Sequence, residues 1–425
     1  MRIAKLTGAV AGKLLTARHR SDAAAELVAA RIIASVRRGG DTALFSWVRR
    51  LDHVRLTPQT LWVSARDRRA ATQQVPRELR VALEHAARNI RRVAEQQRPR
   101  SWSIVVEPGV RVSQRVEPLE TVGCYIPGGR FSLVSTLLMT AIPARVAGVR
   151  RIVVACPKAN PALLAAADLL GIEEIAHIGG AQAIAALAYG TRSVPRVDKI
   201  FGPGNRYVTA AKRLVSVDCA IDLLAGPTEV LIVATRGSAR YIAADLVAQG
   251  EHDADAVALL VTTSPVLARA VRDAVAEQLS ALPSSNPAWK SLAANGAILV
   301  ARTLGEAVQF ANQYAAEHLS IPGGEAALVR KLSVAGSVFI GPWSAQSIGD
   351  YASGTNHVLP TGGGAHSRGG LSVWDFVRCS SVQQVSHSGL RRLAPVVSAL
   401  AEAEGLTAHA RAVEVRDEVR GGVRE

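Results

Sequence analysis

The chain has 425 residues, 48% of them apolar and 20% charged; that length fits two to three domains of about 100–200 residues, and the composition excludes disorder and a collagen-like chain. Its four cysteines, Cys124, Cys156, Cys219 and Cys379, lie far apart with no C-x-x-C pair, which excludes a disulfide framework and a thiolate zinc finger and fits a reducing, cytoplasmic setting. The net charge is +15, from 50 basic against 35 acidic side chains, and no apolar run reaches the ~18–20 residues of a membrane span.

In chain order, residues 1–20 are basic and acid-free. Lys13 breaks their only apolar stretch, so they read as an N-terminal arm and not as a signal or transit peptide. Residues 1–120 carry 23 basic and 11 acidic side chains, most of the excess charge. Such a segment can bind nucleic acid or steer anionic ligands. Here the Arg residues alternate with Ala, Val and Leu, and stacking aromatics are sparse, as on a solvated helical surface. Neither nucleic acid nor membrane is an expected partner.

Ser21-Asp22 can cap a helix with apolar residues at helical spacing through Ile32, Ile33 and Val36, and Gly39-Gly40 ends it. A second helix is expected from Pro76 to about Gln97, with Leu79, Val81, Leu83, Ile90 and Val93 inward. From residue 104 the texture changes. Strands are expected at 104–106, 110–116, 121–126, 152–155, 175–178 and 199–201, with helices at 133–148, 160–170 and 181–189. A second series follows, with strands 230–234, 257–262, 297–300 and 338–340 and helices 237–249, 264–280 and 303–315. Strands alternating with helices imply parallel sheets covered by helices. Residues 361–370 are Gly-rich and read as a loop; residues 390–418 read as a helical tail able to dock elsewhere.

The dinucleotide fingerprint G-x-G-x-x-G is absent after the early strands. Three other Gly-rich turns follow strands: Tyr125-Ile126-Pro127-Gly128-Gly129, Gly179-Gly180-Ala181-Gln182 and Phe201-Gly202-Pro203-Gly204-Asn205. Each belongs at the carboxyl end of a strand, where open α/β sheets bind ligands. Together they make a nucleotide pocket or a set of structural turns. Gln249 and His252 share one helix face and offer an oxygen and a nitrogen to zinc, although by themselves they also suit a helix surface. Asp350 and His357 stand in a polar segment that is either a ligand set or a capped turn. Glu317-His318 is an adjacent carboxylate–imidazole pair, able to serve as acid and base near neutral pH or to close a surface helix. Glu404 and His409 stand five apart in the tail.

The segments GCYIPGG, STLLMTAIPARVAGV, GGAQAIAALAYGT, KIFGPGNRYVTAAKRLV, IDLLAGPTEVLIVA, QGEHD, AEHLSIP and GDYASGTNHVLPTGG occur in that order. With them the chain resembles the histidinol dehydrogenase family over nearly its whole length. The resemblance implies a four-electron oxidation of L-histidinol through the aldehyde to L-histidine, with two NAD reduced in turn. It implies one Zn²⁺ per subunit on Gln249, His252, Asp350 and His409, and acid/base roles for Glu317 and His318. It implies NAD contacts at Tyr125, Gln182 and Asn205, and substrate contacts at Ser135, Thr228, His357 and Glu404 beside the metal ligands and His318.

The implied fold is α/β: two incomplete Rossmann-like domains with parallel sheets, a helical N-terminal segment and a C-terminal arm. The expected division is an arm at 1–20, a first domain from 21–120 and 230–375, a second at 121–229, and a tail at 376–425. The resemblance also implies an intertwined homodimer with shared active sites, the tail docking on the partner. Departures from the family pattern are Thr228 where Ser is common, Gln346 where an acid is common, and the Gly362–Arg368 loop. Some family members oxidise other alcohols, so an anionic alcohol is the alternative substrate; an Arg-rich nucleic-acid-binding protein is the alternative of another class.

Overall fold

A computed structural model of the chain describes residues 1–18, 22–128, 133–324 and 326–417. Residues 19 and 20 of the arm, Ser21 of the expected cap, Gly129 of the first Gly-rich turn and the end of the 390–418 tail lie outside them. The chain divides into two compact units: Met1–Gln97 with Leu119–Phe376, and Arg98–Pro118 with Val377–Glu425. Among the described residues no helix is long and apolar enough to cross a membrane.

The first unit holds two sheets, both wholly parallel. One has five strands in the order Glu174–Ala176, Arg151–Ala155, Thr121–Tyr125, Lys199–Phe201, Ala220–Ile221. Parallel strands covered on both faces read as near-continuous apolar runs, and Arg151–Ala155 is such a run. Its alternate residues serve two cores. Tyr125, Val153, Ala155 and Ile200 meet Ala-rich helix Gly180–Tyr189, helix Arg206–Val215 and helix Ala23–Leu51. Helix Val134–Ala147 is buried along nearly its whole length.

The other sheet has six strands in the order Arg2–Lys5, Ala297–Val300, Val257–Thr262, Glu229–Val233, His318–Ile321, Ser337–Ile340. Leu231, Val233, Leu259 and Leu319 face one core with Phe310 and Tyr314, whereas Val230, Ile232 and Leu260 face another with Ile242, Leu246 and Val271. Each fully buried aliphatic side chain contributes about 1.5–3 kcal/mol.

The α/β architecture with parallel sheets is as expected, but the boundaries move. The 1–20 segment is more than an arm: Arg2–Lys5 is an edge strand paired with Ala297–Val300, and Leu6, Val10 and Leu14 enter the core beside it. Residues 21–120 do not all join 230–375. Helix Ala23–Leu51 packs on the five-stranded sheet, because its apolar face (Ala25, Ala29, Ile32, Val36, Leu44, Val48) fits the small-residue helix Gly180–Tyr189. Its cap is Asp22, which accepts from the Ala25 amide, and Gly40 (φ 52°) kinks it.

Residues 104–116 belong to the second unit. Strands Trp102–Glu107, Val110–Pro118 and Val377–Val385 form an antiparallel sheet, the last two paired along their full length. The tail is two helices, His387–Ala403 and Thr407–Asp417, separated at Gly405 (φ 72°).

Candidate active site

Two clusters of polar side chains form within the first unit. The first follows the carboxyl ends of the five-stranded sheet, where the three Gly-rich turns lie. The Gly180 amide donates to the Tyr125 hydroxyl at 3.1 Å, joining turns one and two. Tyr125 is buried, which pushes its phenol up to about 12. Turn three closes on turn one: a Cβ at Gly202 (φ 106°) would stand 2.1 Å from the Tyr125 carbonyl oxygen, so only glycine fits.

Gln182 is buried on the second turn. Its Nε2 donates to Asp52 Oδ2 at 3.2 Å, and its Oε1 has no hydrogen-bond partner. Burial raises the Asp52 pKa against the lowering effect of that bond. Asn205 is exposed and caps helix Arg206–Val215, its Oδ1 accepting from the Tyr207 and Val208 amides. A buried ion pair, Lys212–Asp222, holds the third turn: Gly202 donates to Asp222 Oδ2 at 2.7 Å and accepts from Lys212 Nζ at 2.9 Å.

The second cluster lies at the amino ends of the six-stranded sheet. Strands Glu229–Val233 and His318–Ile321 are parallel neighbours, with His318 opposite Val230. Thr228 precedes the first strand and Glu317 the second. Gln249 Nε2 donates to Thr228 Oγ1 at 2.7 Å, and that hydroxyl donates to Glu317 Oε2 at 2.6 Å. The Glu229 amide donates to the same carboxylate oxygen at 2.8 Å. This chain orients the Gln249 amide and leaves its buried Oε1 without a partner.

His318 is 4% exposed and lies against Phe339, the ring centroids 5.9 Å apart. Its Nδ1 is 3.2 Å from the Glu229 carbonyl oxygen and 3.5 Å from Glu317 Oε2. Its Nε2 is 3.5 Å from Asp350 Oδ1 and makes no hydrogen bond. Burial works to lower this imidazole, but Glu317 and Asp350 prevail and push it up to about 10. Burial works to raise Asp350, and the facing His318, His357 and His252 hold it below the usual range.

Asp350 sits in helix Gln346–Tyr351, which packs against helix Ala239–Gly250: Gln346 Nε2 donates to the Asp245 carbonyl at 3.1 Å. His252, just beyond that second helix, is exposed. His357 Nδ1 is 2.9 Å from the Asp350 carbonyl, and its Nε2 is 3.3 Å from Thr136 Oγ1; burial lowers its pKa. Asn356 Nδ2 donates to the Met139 carbonyl at 2.7 Å. Helix Val134–Ala147, with half-buried Ser135 near its start, therefore meets the Asp350–His357 loop.

The structure thus brings together Thr228, Gln249, Glu317, His318, Asp350 and His357. The helix-surface readings of Gln249 and Glu317-His318 are overturned, since all three side chains are buried. Glu404, capping helix His387–Ala403, and His409 are exposed and belong to the second unit. Among the described residues no three His, Cys, Asp or Glu side chains gather as a metal-holding group; the expected set includes a glutamine and a residue of the second unit. Asp52, Thr136, Lys212 and Glu229 are parts of these clusters that sequence reasoning missed. The signal for Glu229 was a Glu at the head of an otherwise apolar strand, and for Lys212 its place on the Ala210-Ala211 side of its helix.

Residues 15–417 match the family model described as histidinol dehydrogenase. The histidinol dehydrogenase of Vibrio parahaemolyticus is 45% identical over 395 residues, covering 92% of this chain and 91% of that one. That of Gluconobacter oxydans is 42% identical over 412 residues, 95% of each. The crystal structure of histidinol dehydrogenase from Elizabethkingia anophelis superimposes with a TM-score of 0.92 at 36% identity, over 98% of both chains.

Proposed function

Because this chain belongs to the histidinol dehydrogenase family, we propose that it oxidises L-histidinol through the aldehyde to L-histidine, using two NAD and one Zn²⁺ per site. The observation that carries the reading is the buried chain Gln249–Thr228–Glu317 beside His318, with Gln249 Oε1 and His318 Nε2 left unpaired. A buried carbonyl oxygen without a donor suits a cation.

Gln249, His252 and Asp350 would hold zinc together with His409 of a second copy; two oxygens and two nitrogens suit that metal. Bound zinc would orient and polarise the substrate and offset the Asp350 charge, bringing His318 back toward the neutral form a base needs. Tyr125, Gln182 and Asn205 would position NAD, the hydride acceptor.

The protein's own groups then act in order. His318 Nε2 takes the alcohol proton as hydride leaves carbon, giving the aldehyde. Glu317 takes a proton from water, whose oxygen adds to the aldehyde carbon. The hydrate anion so formed passes the second hydride to NAD, and the carboxylic acid remains. Ser135, Thr228 and His357 would line the substrate, and Glu404 of a second copy would meet its amino group. Support for a dimer comes from strand Trp102–Glu107, whose Trp102, Ile104, Val105 and Val106 are all about half exposed, an apolar edge that monomers rarely keep. A cytoplasmic setting is part of the same proposal.

The test is NADH formed from L-histidinol by zinc-loaded protein, counted against histidine. Two NADH per histidine, abolished by a chelator, are expected. No NADH from folded, zinc-bound protein would overturn the substrate assignment and turn attention to anionic alcohols.

A further inference from the structure

Segment 314–318, which carries the acid/base groups, and segment 228–229, which hydrogen-bonds to them, are joined behind the site by one side chain from the N-terminal segment. Arg18 lies 211 positions from Glu229 in sequence, and its side chain is 7% exposed. Its Nε donates to Glu229 Oε2 at 3.1 Å, and Nη2 pairs with Oε1. Its guanidinium lies 3.7 Å over the Tyr314 ring and donates to the carbonyls of Tyr314 and Ala315. Ala315 has a φ of 47° and ends helix Leu304–Tyr314 two residues before Glu317.

Glu229 is held on every side. Its Oε2 also accepts from the Tyr314 hydroxyl at 3.1 Å, and its Oε1 from the Gly362 amide at 3.2 Å. The backbone of the same residue touches both acid/base groups: its amide donates to Glu317 Oε2 and its carbonyl oxygen faces His318 Nδ1. Gly362 and Gly363 have φ of 61° and 84°, and a Cβ on either would meet Arg18 at 3.8 Å. The Gly-rich loop that departs from the family pattern therefore wraps this ion pair. A planar, forked guanidinium suits such a site, since it binds a carboxylate and backbone carbonyls at once.

We propose that Arg18 and Glu229 are positioning residues, a buried ion pair that fixes the Glu317 carboxylate and His318 ring relative to each other. The proposal rests on the reading of Glu317 and His318 as the acid/base pair. Neither Arg18 nor Glu229 touches the reacting atoms; each acts through backbone and carbonyl contacts. A displacement of about 1 Å at reacting groups lowers rate by about 100-fold without a matching loss of binding.

The test compares Arg18→Lys, Arg18→Met and Glu229→Gln with Glu317→Gln, by steady-state kinetics and crystal structures. Arg18→Met should lower kcat by about 100-fold with the KM for histidinol and NAD within about twofold. Arg18→Lys keeps the charge without the fork and should recover part of kcat. Crystals of either Arg18 variant should show Glu317 Oε2 drawn away from Thr228 Oγ1 and the Glu229 amide. Wild-type kcat in a folded Arg18→Met or Arg18→Lys protein, or an unmoved Glu317, would overturn the pairing. Full activity in Glu317→Gln would instead overturn the acid/base reading, leaving the crystallographic comparison to judge Arg18 alone.

Discussion

Thr228 shows how one hydroxyl can set two functional groups. It accepts from Gln249 Nε2 and donates to Glu317 Oε2, so the glutamine's oxygen and the carboxylate's free lone pairs are oriented together. Thr228→Val keeps the shape and removes both bonds. We expect kcat to fall about 10- to 100-fold, with Thr228→Ser close to wild type, measured by NADH formation. Asp245 behaves differently. Burial alone raises its carboxyl to about 6 from 3.8. A folded pKa above the unfolded one favours the protonated state, so this stabilisation is full below about pH 4 and is lost as pH rises through about 6. Urea unfolding at pH 4 and pH 8 should show wild type losing on the order of 1–3 kcal/mol relative to Asp245→Asn across that window. Parallel curves would show that the carboxyl is not perturbed.

The turns of the five-stranded sheet behave as one element. Gly202 is pinned through both backbone polar groups by Lys212 and Asp222, whose side chains are 2% and 0% exposed. Removing one partner of a buried pair leaves the other uncompensated, which costs about 3–5 kcal/mol. Lys212→Met should show that loss by chemical denaturation, and the KM for NAD should rise in whatever remains folded. A loss under 1 kcal/mol would mean that Asp222 is satisfied without the lysine. The six-stranded sheet carries its cluster at the amino ends of the strands, where helix Ala239–Gly250 delivers Gln249 from its last turn. The glycine turns thus lie at the carboxyl ends of their strands, where open α/β sheets bind ligands, whereas Glu317 and His318 lie at the amino ends of theirs.

At the scale of the whole molecule, Glu404 and His409 are exposed and belong to the second unit. If the tail serves a second copy, His318→Ala and His409→Ala chains should complement each other. In co-expressed mixtures each heterodimer then holds one intact site, and activity should reach about a quarter of wild type. Sites built within one chain would leave every site damaged and the mixture inactive.

Much of this was legible in the chain. Alternating strands and helices, the three glycine turns and the acid–imidazole pair rest on local patterns: period, turn chemistry and the residue types a reaction needs. Those patterns act over a few residues, and sequence displays them directly. Burial and partnership do not show there. Glu317-His318 reads equally as a helix end until its place between two parallel strands removes it from water. Residues 110–116 read as part of the alternating series, yet they pair with 379–385, over 250 positions away. Arg18 looks like one of many arginines in a basic segment, and only the fold sets its guanidinium against Glu229. Sequence alone determined the elements and the chemical groups. Tertiary structure decided which groups are desolvated together, because the energy of a charge or an amide depends on what surrounds it in space and not on its neighbours along the chain.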